Sequence, residues 1–145
     1  AAFEIFNAYS AGGKSLLVDR LFAFNLVSTA VGETYSLWAQ VTDVKTAPTT
    51  GSFAVRGNSG KQSGSPVIAA PTTTVVESGW FPWTNAIQKV AQAATVTPQG
   101  CQVAEVAGRL IVPPQCSLCL HVVSSIVGQT FTQGAQWYEI QITLE

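Results

Sequence analysis

Apolar and polar residues alternate over much of this chain of 145 residues. The alternation is most regular at the end, where Tyr138, Ile140, Ile142 and Leu144 interleave with Trp137, Glu139, Gln141 and Thr143. Successive side chains of a strand point to opposite faces, so a period of two indicates a strand with one buried face. We therefore predict a closing strand that buries the set containing Tyr138.

Two other segments have the same period and predict two more strands. Their alternating sets are Tyr35, Leu37, Ala39 and Val41 against Thr34, Ser36, Trp38 and Gln40, and Leu118, Leu120 and Val122 against Cys119, His121 and Val123. Residues 15–27 differ, because Leu, Val and Phe occupy both faces, as in a strand at the middle of a packed sheet. Within that stretch, Asp19 and Arg20 should lie near a strand end or beside a partner.

Shorter candidate strands are separated by clusters of Gly, Pro, Asn and Ser; they lie at residues 3–6, 52–56, 73–77, 102–106 and 109–112. With about eight to ten short strands and no regular alternation with helices, the chain is predicted to be all-β. We expect a single domain, residues 1–145, folded as an antiparallel, jelly-roll-like β-sandwich.

Two segments in the middle of the chain have other patterns. Thr84 or Asn85 could cap a short helix near 84–94 whose apolar residues share one face, and this alternative stays open. Residues 56–65 are polar and rich in Gly and Ser, so they are predicted to form an exposed, mobile loop within the domain.

Charged residues are scarce. Asp, Glu, Lys and Arg make up 10% of the chain, against about 25% in an average soluble domain. Because interface cores are depleted of charge, this indicates a surface covered by other copies or by a larger assembly. A net charge of −1 offers no footprint for a phosphate backbone, so we expect no nucleic-acid partner. No apolar run has the length of a membrane span and residues 1–4 lack a signal-peptide pattern, so no membrane insertion is expected.

Gly13-Lys14-Ser15 resembles the end of a phosphate-binding loop. That motif needs a glycine five positions before Gly13, where this chain has Ala8. It also precedes a predicted strand rather than a helix, so no helix N-terminus would be available to hold phosphate. We interpret the segment as a turn and expect no nucleotide hydrolysis.

Three cysteines and one histidine are the weak candidates for a metal site: Cys101, Cys116, Cys119 and His121. Cys116 and Cys119 have the spacing of metal ligands, and structural zinc needs four ligands. Cysteine also packs as a small buried hydrophobe, which is the interpretation we favour. An odd number of cysteines leaves at most one disulfide open. We expect no metal and no other cofactor.

Catalysis is not indicated by the remaining chemistry. One histidine excludes multi-histidine metal sites and leaves at most one base for a nucleophile. The eight carboxylates include no close pair in sequence that would suggest an acid and a base. We therefore expect the chain not to be an enzyme.

The aromatic segment Trp80-Phe81-Pro82-Trp83 is the most conspicuous local feature. Large aromatic side chains fill cores, anchor interfaces and stack against sugars. A plug at one end of the sandwich is the interpretation we weight most, followed by a subunit contact and then a ligand platform. The candidates for an interface or ligand site are Trp80, Phe81, Trp83 and Trp38.

Several motifs at the two ends of the chain resemble those of small jelly-roll structural proteins of tailed bacteriophages, such as capsid decoration proteins. They are Ile5-Phe6-Asn7, Gly13-Lys14-Ser15-Leu16, Gly108-Arg109-Leu110-Ile111-Val112-Pro113-Pro114 and Gln136-Trp137-Tyr138-Glu139. Gln115-Cys116 stands where such proteins commonly have a glycine after the proline pair, and residues 44–97 carry no matching motif.

The resemblance implies a non-enzymatic virion protein, located on the capsid or tail surface, that decorates or stabilises the particle. Its expected partners are further copies of itself, with a trimer favoured, and capsid or tail proteins. The alternative hypothesis is a carbohydrate-binding or receptor-binding β-sandwich module, as in a tail or fibre adhesin, which would bind a glycan through the aromatic segment.

Overall fold

The computed structural model describes residues 2–27, 34–43, 48, 53–59, 66–71, 80–85, 87–88, 101–125 and 130–142. These residues contain nine strands: β1 (Ala2–Asn7), β2 (Ser15–Val27), β3 (Thr34–Thr42), β4 (Val67–Pro71), β5 (Phe81–Pro82), β6 (Ile87–Gln88), β7 (Cys101–Val112), β8 (Ser117–Ser124) and β9 (Thr130–Ile140). The described residues contain no helix.

The strands form two antiparallel sheets. Sheet I has the order β4-β1-β8-β3-β5, with β6 also paired to β3, and sheet II has the order β7-β2-β9. Strands from the start of the chain therefore pair with strands from its end in both sheets, β1 with β8 and β2 with β7 and β9. This is the interleaved connectivity of a jelly-roll-like sandwich, so the predicted fold class is confirmed.

The core lies between the two sheets. Sheet I contributes alternate residues of β1, β3 and β8, and sheet II contributes alternate residues of β2 and β7, which pack as one buried cluster. Its largest fully buried members are Ile5, Leu16, Leu21, Leu37, Leu118 and Leu120. Burying one such side chain stabilises the fold by about 1.5–3 kcal/mol, so the two apolar faces hold the sheets together. The predicted inner faces of β3 and β8 are confirmed.

A large bulge interrupts β7. Val18 of β2 pairs with Leu110 and Arg20 pairs with Glu105, so four residues of β7 lie opposite the single residue Asp19. Ala107 and Gly108 take up the extra length at φ 51° and 77°, a region that disfavours side chains with a Cβ. The two strands predicted at 102–106 and 109–112 are thus one bulged strand. Asp19 and Arg20 lie at this bulge in mid-strand rather than near an end.

Asn7 connects the two sheets at one end of the sandwich. Its fully buried side-chain amide donates to the carbonyl oxygens of Lys14 at 2.9 Å and Val112 at 3.0 Å, both in the chain of sheet II. Its Oδ1 accepts from the backbone N–H of Tyr9 at 3.2 Å. One side chain therefore satisfies three backbone groups where the ends of β1 and β7 meet the start of β2.

The closing strand is present, but its faces are the reverse of those predicted. Trp137 pairs with Val18 and packs against the core, whereas Tyr138 is 59% and Ile140 is 38% exposed. The register gives the inner face to the larger indole ring, and this outweighs the alternation of Tyr138 and Ile140. The strand ends at Ile140, and residues 143–145 lie outside the described residues.

Three further local predictions have other outcomes. Residues 53–56 form no strand apart from a bridge at Arg56, so the strand predicted at 52–56 is wrong. In the segment predicted as a helix at 84–94, Ile87–Gln88 is strand β6, because the exposed edge of β3 at Thr34 and Tyr35 offers backbone partners. Residues 89–94 and the strand predicted at 73–77 lie outside the described residues.

Turns account for the two Gly- and Pro-containing motifs. Gly13 donates its N–H to Ser10 at 2.8 Å in a turn that leads into β2, as predicted, and a Cβ there would lie 2.8 Å from the Ser10 oxygen. After β7, the Cys116 N–H donates to Pro113 at 3.2 Å, and Gln115 adopts φ 65°. Both motifs therefore shape the chain between strands.

Candidate functional site

The outer face of sheet II is the largest apolar surface that the structure places on the molecule. Cross-strand pairing arranges it in four rows of three residues: Ile111–Leu17–Tyr138, Glu105–Arg20–Gln136, Val103–Phe22–Gly134 and Cys101–Phe24–Thr132. Only the second row carries charge. We call these twelve residues the outer face.

Exposure shows that much of the outer face is accessible to solvent. Val103 is 51% exposed, and Leu17, Phe22, Phe24 and Ile111 are partly exposed. Isolated exposed apolar residues are ordinary, whereas a contiguous set across three strands is typical of an interaction surface. This arrangement explains why 15–27 is apolar on both sides: one side faces the core and the other faces outward.

The ring of Phe22 lies over Gly134 on the outer face. A Cβ added at Gly134 would lie 2.6 Å from Phe22 Cζ, and Gly134 itself is buried. An aromatic ring that covers a glycine on a neighbouring strand compensates for the packing that the missing side chain would provide. The outer face is thus flat and closely packed at its third row.

The charged row of the outer face is internally neutralised. Arg20 Nε lies 3.1 Å from Glu105 Oε2 and 3.7 Å from Asp19 Oδ2. These groups are well exposed, so the ion pairs add little stability. Their effect is to leave no net charge from Arg20 on this part of the surface.

The predicted aromatic candidates separate into two places. Trp38 and His121 are cross-strand partners on the outer side of sheet I, and the Trp80 ring lies edge-on to His121 at 5.7 Å. Trp80 and Trp38 are half-buried, and Trp38 Nε1 donates to Ser36 at 2.8 Å. Burial lowers the pKa of His121, which favours its neutral form.

Phe81 and Trp83 lie instead at the side of the sandwich, where β5 approaches β7. Trp83 packs against the core, and its backbone N–H donates to Leu37 at 2.9 Å. Phe81 is 60% exposed and meets the Trp83 ring edge-on at 5.6 Å, while the Arg109 guanidinium lies 5.2 Å from that ring's centroid. Trp83 therefore closes the side of the core, and Phe81 is the accessible member of the segment.

The four weak metal candidates are not brought together. Cys101 is exposed on the outer face of sheet II, Cys116 is half-buried in the turn before β8, and Cys119 is fully buried on sheet I beside His121 in sequence. All three thiols are free. Burial, with a contribution from Asp43, raises the pKa of Cys116, so its reactive thiolate form is disfavoured. Among the described residues, no three His, Cys, Asp or Glu side chains form a group that could hold a metal ion.

A polar groove of ≈ 870 Å³ runs along β9. It is lined by Asp19, Arg20, Val55, Arg56, Gly57, Asn58, Ala135, Gln136, Trp137, Tyr138 and Glu139. Residues 55–58 form one wall and β9 forms the other. Nothing in the sequence pattern indicated this groove, because segment 55–58 is polar and irregular and its position depends on tertiary folding.

No protein-family model, curated protein or solved structure matches the chain. Within the residues that the structure describes, no helix is long and apolar enough to cross a membrane.

Proposed function

We propose that this chain is a non-enzymatic structural module of a virion, which decorates or stabilises a capsid or tail through contacts with copies of itself and with the larger particle. The observation that carries the proposal is the apolar outer face of sheet II, with Val103 51% and Tyr138 59% exposed. The resemblance of the end motifs to jelly-roll proteins of tailed bacteriophages supports the virion setting, and a trimer is the favoured assembly.

A second copy of the chain is the occupant that the outer face fits best. Arg20 has its counter-charges within the same chain, at Glu105 and Asp19. A partner therefore needs apolar area rather than complementary charge, and the same face on another copy supplies it. The charge content of 10% agrees with a surface that is partly covered in the assembled state.

Cys101 provides a direct test, because it is exposed on the fourth row of this face. We expect iodoacetamide to alkylate Cys101 slowly in the wild-type protein and at least about tenfold faster in Val103→Asp, where a charge opposes burial of the face. Cys116, which lies away from the face, should react at the same rate in both proteins. Equal, fast modification of Cys101 in both at all concentrations would contradict self-association through this face.

The virion setting has its own test. Purified phage particles from the source of the sequence should contain the chain at a fixed copy number relative to the major capsid or tail protein. Mass spectrometry of gradient-purified particles measures this ratio. Absence of the chain from intact particles would overturn the virion proposal without affecting self-association.

The second candidate function, a carbohydrate-binding or receptor-binding module, is favoured by one observation, the exposed ring of Phe81 beside Trp83. Phe81→Ala removes an exposed ring, whereas Trp83→Ala would also open the core. Glycan-array binding that is lost in Phe81→Ala, with unchanged thermal unfolding, would support this candidate. Binding that persists in Phe81→Ala, or no binding, would reject a platform at Phe81.

A further inference from the structure

We propose that the groove between residues 55–58 and β9 binds a neutral oligosaccharide. The site is distinct from the Phe81–Trp83 pair, since neither residue lines it. It also does not depend on self-association, because its polar wall is separate from the Val103 and Cys101 rows. A volume of ≈ 870 Å³ is enough for several sugar rings.

Polar side chains of the groove are available for a ligand. Within the described residues, no hydrogen bond or ion pair engages the side chains of Arg56, Asn58, Gln136 or Tyr138. All four are exposed, and together they offer guanidinium, amide and phenol groups. A sugar hydroxyl both donates and accepts, so paired amide and guanidinium groups suit it well.

The remaining polar groups of the groove are already held in place. Glu139 accepts from the Tyr9 hydroxyl at 2.9 Å and lies 3.5 Å from Trp137 Nε1. Arg20 is fixed by its two carboxylate partners. A wall of oriented side chains lowers the entropy cost of binding, which favours a defined ligand over general wetting.

Charge indicates that the ligand is neutral. The groove contains two arginines, Arg20 and Arg56, and two carboxylates, Asp19 and Glu139. Arg20 lies 3.7 Å from Asp19, and this pairing leaves Arg56 as the one cation of the lining without a partner among the described residues. A polyanion would need several free cations, which the lining does not offer.

An aromatic surface completes the fit to a sugar. Tyr138 is 59% exposed in the lining and Trp137 is half-buried beside it. The C–H face of a pyranose ring stacks on such rings, while its hydroxyls reach the amides and guanidinium. An apolar small molecule fits less well, because most of the lining is polar.

A glycan array that carries neutral and sialylated oligosaccharides tests the proposal with the full chain. We expect binding to neutral glycans, weakened at least about tenfold by Arg56→Ala and by Gln136→Ala, since each change removes hydrogen bonds to the ligand. Thr132→Ala is the matched control, an exposed residue of the same strand outside this groove. Phe81→Ala is the control for the other aromatic site. Both controls should bind as the wild type does.

Each outcome decides the question. Binding that is lost in the groove variants and retained in both controls supports the proposal, provided that thermal unfolding of the variants is unchanged. No glycan bound, preference for sialylated glycans, or binding that is lost only in Phe81→Ala overturns it. If a groove variant unfolds, direct titration of the wild type with the bound glycan, followed by backbone NMR shifts at residues 55–58 and 135–139, decides between this groove and another surface.

Discussion

The side-chain amide of Asn7 donates a 3.0 Å hydrogen bond to the carbonyl oxygen of Val112, across 105 residues of sequence. The same nitrogen donates to Lys14. Because Asn7 belongs to sheet I and both acceptors belong to the chain of sheet II, one buried residue fixes how the two sheets meet at this end.

The donor role of Asn7 can be removed without changing its size. In Asn7→Asp, the ionised carboxylate still accepts from Tyr9 but cannot donate to Lys14 or Val112. Leaving these acceptors unpaired beside a buried charge should lower the free energy of unfolding by about 2–4 kcal/mol. Urea denaturation measures this, with Asn58→Asp as an exposed control that should change it by less than about 0.5 kcal/mol. Equal stability of the two variants would show that Asn7 does not join the sheets.

Phe22 and Gly134 should be energetically coupled. Gly134→Ala places a Cβ 2.6 Å from Phe22 Cζ, so the ring must move, at a cost of about 1–3 kcal/mol. In a Phe22→Ala background the same change should cost much less. A double-mutant cycle measured by thermal unfolding gives the coupling directly. Additive effects would mean that the ring does not cover the glycine in solution.

Arg109 stabilises the β7 bulge through its planar guanidinium. Its Nε donates to Val106 at 2.9 Å, another of its nitrogens donates to Glu105, and it lies over the Trp83 ring. Lysine cannot form this fork, so Arg109→Lys should destabilise the protein by about 1 kcal/mol. Arg56→Lys, at an exposed arginine, is the matched control and should be neutral. Chemical denaturation compares the two, and equal midpoints would contradict this role.

Stability should decrease in acid partly because of His121. Burial holds its pKa below the ordinary value of 6.5 in the folded state. The unfolded chain therefore binds more protons below about pH 6.5, and the stability gained by the neutral form is lost as the pH falls through that window. Urea unfolding from about pH 7.5 to pH 5 should show a smaller loss in His121→Gln than in the wild type. An identical pH dependence would contradict the effect of burial.

The sequence allowed the sandwich and its central strand to be predicted, because burial on both sides of β2 leaves a direct pattern in 15–27. It did not allow the faces of β9 to be assigned, since Trp137 and Tyr138 are both large and amphipathic and only the pairing with Val18 decides between them. Similarly, alternation alone cannot distinguish two strands from one strand bulged at Ala107 and Gly108.

The candidate surfaces were less predictable than the fold. The segment containing Trp80 and Trp83 was correctly singled out as aromatic, but its residues diverge to two sides of the molecule because β5 directs alternate side chains to opposite faces. The outer face had a signal in the apolar outward set of β2, which low charge also suggested. The groove had none, since its walls are distant in sequence and polar.

The mass of the protein in solution tests the central claim most directly. Sedimentation equilibrium over a concentration series should give an integer multiple of the chain mass for the wild type, three being favoured. Val103→Asp, which places a charge at a 51% exposed position of the outer face, should shift the mass to that of one folded chain. A wild-type protein that remains a monomer at every concentration, or a Val103→Asp oligomer identical to the wild type, would contradict assembly through this face.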